Sequence, residues 1–218
     1  MISLTADSLI VIGFMLFLAV SSIVFMFLSR SSIADKKISK YRSSLLVCDI
    51  VTFLSLLYVD YFSKVRVRES MELGEAIDLI PRVLQICYFE NTGAVWGILK
   101  GKSVFLLITT AIIMVICIYV FIKVPADRKY AAFHVALTMV LIGAVGNMID
   151  RCIKQSVTDF IYVSLINFPI FNVADICVVV GVFLLMFLFL FVYKDSDLDF
   201  LKPKFIKSSK NDEIPSEK

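Results

Sequence analysis

Five long apolar stretches constrain this chain more than any other feature of its sequence. A helix needs about 20 mostly apolar residues to cross the hydrocarbon core of a bilayer. Stretches of that length run near residues 8–29, 44–62, 103–122, 131–149 and 174–193. Of the 218 residues, 59% are hydrophobic and only 19% are charged, and a soluble domain of this size could not bury so much apolar surface. The sequence therefore predicts an all-α polytopic membrane protein.

The distribution of basic residues predicts how these helices are oriented. The formal net charge of +3 is too small to indicate a nucleic-acid partner. Lys and Arg concentrate in cytoplasmic loops, and most of the 22 basic residues fall in segments 30–42, 123–129 and 194–218. If these three segments are cytoplasmic, the N-terminus and segments 64–102 and 150–172 share the extracytoplasmic side.

The chain divides into three parts. Residues 1–43 hold the first apolar stretch and a basic loop, and residues 44–193 hold the other four apolar stretches. Residues 194–218 form a polar, lysine-rich cytoplasmic tail, which we expect to be disordered. An alternative for the first stretch is a cleaved signal peptide, but its leader has no Lys or Arg and contains Asp7, so an uncleaved anchor is favoured.

The extracytoplasmic segment 64–102 is too long to be a simple turn. β-branched and aromatic residues alternate over residues 83–89, which predicts a short strand within a small β-containing segment. One His and five Cys without a Cys-x-x-Cys pair predict no metal and no cofactor. The scattered cysteines also argue against a disulfide framework, with a single bridge between Cys87 and Cys152 as an open alternative.

Polar residues persist at the predicted outer ends of the apolar stretches. Such groups are costly beside hydrocarbon, so their presence there indicates a function. They form short clusters within Asp60–Lys64, Asn91–Ala94, Gly143–Arg151, Thr158–Ile161 and Phe171–Asp175. Under the predicted orientation, all of these clusters reach the same side of the membrane.

Several of these residues also have a structural interpretation. Gly143 and Gly146 permit a close helix contact, which Asp150 and Arg151 could end as a surface ion pair. Asn147 shares a helical face with both of these charged residues. Spacing alone does not decide between a helix contact and a functional site.

Three other positions favour a structural role when taken alone. Asn172 and Asp175 have the spacing of a capping box at the start of an apolar helix. Asp49, the one charge well inside an apolar stretch, suits a snorkelling or capping residue better than a functional one. Ser63 and Lys64 point about 100° apart on a helix, so a structural role is favoured over a Ser-Lys catalytic pair.

Asp159 is harder to explain structurally, because it lies in an apolar setting near the membrane surface. If it meets Asp175, one of the two carboxyls keeps a proton, as general acid–base hydrolysis of a peptide bond requires. The dipole of the helix beginning near Asn172 favours an ionised Asp175, so we predict that Asp159 holds the proton more often. A Ser-His peptidase is disfavoured because His134 lies at the cytoplasmic start of its helix.

Taken together, the clusters resemble the lipoprotein signal peptidases (signal peptidase II), which are membrane aspartic proteases of bacteria. The matching motifs are Asp60-x-x-Ser-Lys64, Asn91-Thr-Gly-Ala94, Gly143-Ala-x-Gly-Asn-x-x-Asp-Arg151, Val157-x-Asp-Phe-Ile161 and Phe171-Asn-x-Ala-Asp175. The resemblance covers about residues 45–193, so the first apolar stretch has no counterpart in the four-helix family core. Tyr61 and Trp96 stand where the family usually has Gln and Phe.

The resemblance implies that Asp159 and Asp175 are the catalytic pair. It also implies a set of residues that bind the substrate or support the active site: Asp60, Lys64, Asn91, Gly93, Asn147, Arg151 and Asn172. The implied substrates are prolipoproteins whose cysteine carries diacylglyceryl, cut just before that cysteine, with their lipid chains between the helices and segment 64–102 above them. The implied location is the bacterial cytoplasmic (inner) membrane, with the active site near its extracytoplasmic face. The alternative is a non-catalytic polytopic membrane protein, such as a small transporter or an assembly partner.

Overall fold

The computed structural model describes residues 6–28, 35–93 and 101–202. This part of the chain contains five α-helices with apolar spans long enough to cross a membrane, as predicted. They are α1 (Ala6–Leu28), α2 (Asp35–Ser70), α3 (Ser103–Lys123), α4 (Ala131–Lys154) and α5 (Val173–Phe187).

The second helix is longer than the apolar stretch that predicts it. It continues past residue 62 to Ser70, so Lys64 lies on a helix and not in the outer segment. No Gly or Pro interrupts the chain there, and Lys64 forms an i,i+4 ion pair with Asp60 at 2.8 Å. As a result, α2 carries both charges into the region where the helices meet the sheet.

A three-stranded antiparallel sheet lies at one end of the bundle. Its strands are β1 (Ala76–Ile80), β2 (Leu84–Asn91) and β3 (Val157–Tyr162), in that order. The strand predicted over residues 83–89 is confirmed as β2. Since β3 comes from the connection between α4 and α5, the sheet joins the two extracytoplasmic segments of the predicted topology.

Glycines allow α4, the most buried of the helices, to approach its neighbours closely. A Cβ atom at Gly143 would overlap the carbonyl oxygen of Ala174 on α5, and one at Gly181 would lie 2.7 Å from that of Ala136 on α4. The predicted close helix contact at Gly143 is therefore present.

The added helix α1 packs mainly on α2, where the hydroxyls of Ser22 and Thr52 form a 2.6 Å hydrogen bond.

Asp49 is neither a snorkelling nor a capping residue, so that prediction is wrong. Its buried carboxylate accepts hydrogen bonds from His134 Nδ1 at 3.1 Å and from Thr138 Oγ1 at 3.3 Å. The side chain faces α4 and not the end of its own helix, because α4 offers two polar partners at the same depth. The hydrogen bonds of Asp49 with His134 and Thr138 connect α2 to α4 at the end of the bundle opposite the sheet.

Two other expectations need correction. The first part of the tail is not disordered: Asp195–Leu201 forms a 3₁₀ helix, and Phe200 packs against Tyr130 and Phe133. The aromatic contacts explain why this polar stretch folds, whereas residues 203–218 lie outside the described residues. Cys87 and Cys152 are both free thiols, so the alternative of a bridge between them is wrong.

Candidate active site

The predicted site residues lie together where α2, α4 and α5 meet the sheet. Asp60 and Lys64 come from the last third of α2, and Asn147 and Arg151 come from the last turns of α4. Five further residues come from the sheet, from the chain just after β2 and from the start of α5: Asn91, Gly93, Asp159, Asn172 and Asp175. Residues distant in sequence thus converge on one region.

Asp159 is a buried carboxyl on β3. Its side chain is 2% exposed and accepts hydrogen bonds from Asn91 Nδ2 at 3.0 Å and from Asn172 Nδ2 at 2.6 Å. Burial, followed by the nearby charge of Asp175, raises the pKa of Asp159 to about 7. Asp159 can therefore hold or release a proton near neutral pH.

Asp175 lies in the first turn of α5 and is half-buried. The predicted capping box is confirmed: the Asp175 amide donates to Asn172 Oδ1 at 2.9 Å, and the Asn172 amide donates to Asp175 Oδ2 at 3.1 Å. The other carboxylate oxygen accepts a hydrogen bond from Asn147 Nδ2 at 2.7 Å. Capping therefore fixes the direction in which this carboxylate points and leaves one oxygen facing the site.

Asn172 connects the two acids. It is fully buried, and its side-chain amide donates to Asp159 while its side-chain oxygen accepts from the backbone of Asp175. The same amide donates to Asn147 Oδ1 at 3.1 Å. A single side chain thus sets the relative position of the two carboxyls.

Lys64 on α2 supports the site with a buried ammonium group. The side chain is 1% exposed and has three acceptors within reach of its three protons: Asp60 Oδ2 at 2.8 Å, Asp150 Oδ2 at 3.3 Å and Asn147 Oδ1 at 3.1 Å. The second oxygen of Asp60 accepts from the backbone amide of Ala174 at 2.8 Å, which ties α2 to the start of α5.

The alternative of a surface ion pair between Asp150 and Arg151 is wrong. Asp150 is buried and pairs with Lys64 and Arg68 instead, because its position on α4 faces α2. Arg151 points toward the sheet, where its guanidinium donates to the carbonyl oxygen of Gly93 at 3.4 Å. The Gly93 amide in turn donates to Asn91 Oδ1 at 2.9 Å, so Gly93 and Arg151 orient the amide group that reaches Asp159.

Some residues of the motifs stay outside this network. Ala94 and Trp96 lie outside the described residues, and Tyr61 is exposed on α2. Ser63 donates to the backbone oxygen of Asp60 in its own helix, as expected of a structural residue. Among the described residues, no group of three or more His, Cys, Asp or Glu side chains is arranged to hold a metal ion.

The sequence predicted no role for three residues next to the site, Arg68, Glu90 and Thr158, although Thr158 begins one of the polar clusters. Arg68 donates to Thr158 Oγ1 at 3.0 Å, and the same hydroxyl lies 3.0 Å from Glu90 Oε1. Two sequence signals could have indicated them: Arg68 follows Lys64 by four residues, and Thr158 and Glu90 directly precede Asp159 and Asn91.

Comparison with known proteins supports this arrangement. The family model described as signal peptidase (SPase) II matches residues 52–191, more than half of the chain. The chain belongs to the signal peptidase II family. It is thus a multi-pass membrane peptidase, and the matched region begins within α2, so α1 lies outside it.

Relatives within the signal peptidase II family are similar over most of their own length. A lipoprotein signal peptidase of Enterococcus faecalis is 41% identical over 138 residues, which cover 63% of this chain and 84% of the relative. One of Bacillus subtilis is 44% identical over 135 residues, which cover 61% of this chain and 86% of the relative.

Two solved bacterial membrane enzymes, both determined by the in meso method, have similar structures. The 2.3 Å structure is 31% identical with a TM-score of 0.61 and covers 79% of this chain and 96% of its own. The 1.9 Å structure is 35% identical with a TM-score of 0.62 and covers 68% of this chain and 96% of its own. Sequence and fold comparisons therefore agree.

Replacing Gly146 with Ala tests the close contact that supports the site. The added Cβ would lie 2.5 Å from Asp60 Oδ2 and 3.1 Å from Ala174 Cβ. We expect the variant to lose about 1–3 kcal/mol of stability through overpacking and to cleave substrate more slowly because Asp60 must move. Thermal unfolding in detergent measures the first effect. The matched control is Gly13→Ala on α1, where nothing lies within 4 Å of the added atom; equal unfolding temperatures for Gly146→Ala and wild type would contradict the prediction.

Proposed function

We propose that the protein is a membrane-embedded aspartic endopeptidase that removes signal peptides from diacylglyceryl-modified prolipoproteins. The cut falls just before the lipidated cysteine. The observation that carries the proposal is the link through Asn172, which binds Asp159 with its side-chain amide and caps the helix that carries Asp175. A protein that used these residues only for packing would still use Asp175 to cap its helix, but it would not need the buried carboxyl of Asp159.

The two carboxyls divide the chemistry between them. Asp175 lies at the N-terminus of α5, where the helix dipole favours a carboxylate, and it acts as the base: it takes a proton from water as the hydroxide attacks the scissile carbonyl carbon. Asp159 is neutral and gives its proton to the carbonyl oxygen. The Asp175 proton then passes to the leaving amine of the cysteine, while Asp159 recovers its proton from the intermediate's hydroxyl. Water is consumed, and both acids return to their starting states.

The surroundings of the pair suit a substrate that arrives through lipid. Asp175 lies in the first turn of an apolar span, and the sheet holds Asp159 directly beside that turn. A scissile bond placed here has the diacylglyceryl chains in the bilayer, alongside the helices. The distribution of basic residues supports an orientation with this end of the bundle on the extracytoplasmic side of the membrane, and the proposed membrane is the bacterial cytoplasmic membrane.

A cleavage assay with matched substrates tests the proposal. Purified protein in lipid nanodiscs is incubated with a prolipoprotein that carries diacylglyceryl on its cysteine and with the same protein lacking the lipid. Mass spectrometry of the products should show one cut, immediately before the cysteine, and only in the lipidated substrate. Equal cleavage of both substrates, or no cleavage of either, would overturn the proposed substrate class.

The raised pKa of Asp159 predicts a pH dependence for the reaction. Because Asp159 must be protonated to act as the acid, kcat/KM should fall as pH rises through about 7, where this carboxyl ionises. The rate is measured at increasing pH, with unfolding temperatures recorded in the same buffers to exclude loss of structure. A rate that stays constant or increases above this pH would contradict the assignment of Asp159 as the acid.

A further inference from the structure

The ladder between β2 and β3 is irregular next to Asp159. Ile86 pairs with Ile161 and Phe89 pairs with Asp159, so three steps along β2 correspond to two along β3. Such a bulge interrupts the backbone pairing, and the regular part of the ladder near Ile86 cannot fix the register beyond it. The register matters because a slip of one residue would turn the Asp159 carboxyl to the opposite face of the sheet.

Thr158 is held firmly on the Asp159 side of this bulge. It lies opposite Glu90 in the ladder and its side chain is fully buried. Its hydroxyl donates to Glu90 Oε1 at 3.0 Å and accepts from Arg68 Nη1 at 3.0 Å and from Lys154 Nζ at 3.5 Å. One donor and two acceptor positions are all that a hydroxyl has. We call these four residues the Thr158 cluster.

The backbone of Thr158 is also attached to α4. Its amide donates to Asp150 Oδ2 at 3.2 Å, and Asp150 is itself paired with Lys64 and Arg68. Thr158 therefore contacts α2, α4 and β2 at once. Successive strand side chains point to opposite faces, so the contacts of the Thr158 hydroxyl leave the face that carries Asp159 free.

Charge strengthens the Thr158 cluster. Burial opposes ionisation of Glu90, but hydrogen bonds from Ser156 and Tyr88 and the charge of Lys154 outweigh it and lower the pKa of Glu90. Glu90 is therefore an anion at neutral pH and lies opposite the cation Arg68 across the Thr158 hydroxyl. Hydrogen bonds to ionised groups are about twice as strong as neutral ones, so this strand pair resists slipping.

We propose that Thr158 is a positioning residue that, together with Glu90 and Arg68, fixes the register of β3 and so holds Asp159 against Asn172. The inference rests on the proposed function, because it concerns the placement of the proposed acid. A valine would fill an apolar strand position equally well. The hydroxyl is needed because the charged groups of Glu90, Arg68 and Lys154 all form hydrogen bonds with it.

Thr158→Val tests the proposal, since the change removes the hydroxyl and keeps the shape. We expect kcat to fall by about 10- to 100-fold with KM unchanged, as for a catalytic group displaced by about 1 Å. Thr158→Ser keeps the hydroxyl and should restore most of the rate. The matched control is Thr109→Val on α3, whose hydroxyl donates only to the carbonyl oxygens of Phe105 and Leu106 in its own helix. Wild-type kcat in Thr158→Val, or equal losses in the Val and Ser variants, would overturn the proposal.

A second variant covers the case in which Thr158→Val does not fold. Glu90→Met removes the acceptor of the Thr158 hydroxyl and should lower kcat without changing KM, whereas wild-type kcat in this variant would overturn the proposal. The Asp159→Asn variant distinguishes failure of the proposed function from failure of the positioning role of Thr158. If it retains activity, the proposed function fails; if it is inactive while Thr158→Val and Glu90→Met cleave at the wild-type rate, only the positioning role fails.

Discussion

Replacing Asp159 or Asp175 with Asn is expected to lower the cleavage rate on the order of 10³-fold, the range for loss of a general acid or base. Asn keeps the size of each side chain and one of its two acceptor oxygens, but it can neither release nor accept the proton that the reaction transfers. Both variants are assayed on lipidated prolipoprotein in single-turnover experiments, so that slow product release does not mask the chemical step.

The stability of the Asp159 variant gives this experiment an internal check. A carboxyl whose pKa is raised by folding stabilises the protein at low pH, and that contribution is lost as pH rises through about 7. Asp159→Asn never carries this buried charge, although it keeps only one of the two acceptor oxygens, so its unfolding temperature relative to that of wild type should rise as pH increases through about 7. The matched control is Asp78→Asn, an exposed carboxylate on β1 that accepts a hydrogen bond from Gln85. Full activity of either dyad variant would remove the basis for an aspartic mechanism.

Replacing Lys64 with Met is expected to have the largest effect on stability. The change leaves the buried carboxylates of Asp60 and Asp150 without the cation between them. Removing one partner of a buried ion pair costs about 3–5 kcal/mol, and Asn147 also loses a donor on the side away from Asp175. We therefore expect a lower unfolding temperature and a lower cleavage rate.

Two further variants show whether the unpaired buried charges cause the loss of stability in Lys64→Met. Lys123→Met changes an exposed lysine on α3 and should leave the unfolding temperature unchanged. Adding Asp60→Asn to Lys64→Met removes one uncompensated charge and should recover part of the lost stability. An unfolding temperature of Lys64→Met equal to that of wild type would show that this buried ion pair does not stabilise the fold.

The local features of the fold could be predicted from the sequence. Span length and hydropathy located all five helices, because a membrane-spanning helix must satisfy its backbone hydrogen bonds within itself. The capping box at Asn172 and Asp175 depends on residues three positions apart, and strand β2 depends on a local alternation. Each of these signals involves neighbours along the chain.

The partners of the buried charges could not be predicted in the same way. Asp49 looked like a snorkelling residue until α4 placed His134 and Thr138 beside it. Asp150 pairs with Lys64 rather than with its neighbour Arg151, because the rotation of α4 against α2 decides which side chain faces inward. Contacts of this kind depend on how helices pack, which no spacing within one helix encodes.

Most of the site was predictable only through the match to a family motif, although the apolar setting of Asp159 singled out this acid without it. The motif identified the acids and the asparagines that bind them, whereas the spacing of Asn172 and Asp175 alone indicated a cap. The roles of Thr158 and Glu90 could not be predicted, because they depend on a strand register set beyond a bulge.

The most direct test of the central claim, that Asp159 and Asp175 share one proton at neutral pH, is infrared spectroscopy of the carboxyl groups. Protein with carbon-13 in its aspartate carboxyls is titrated from about pH 5 to about pH 9, and the spectrum of wild type is compared with that of Asp159→Asn. We predict a protonated carboxyl band in wild type that persists to near pH 7 and is missing from Asp159→Asn. A wild-type spectrum without a protonated aspartate near neutral pH, or a band that Asp159→Asn retains and Asp175→Asn loses, would contradict this account.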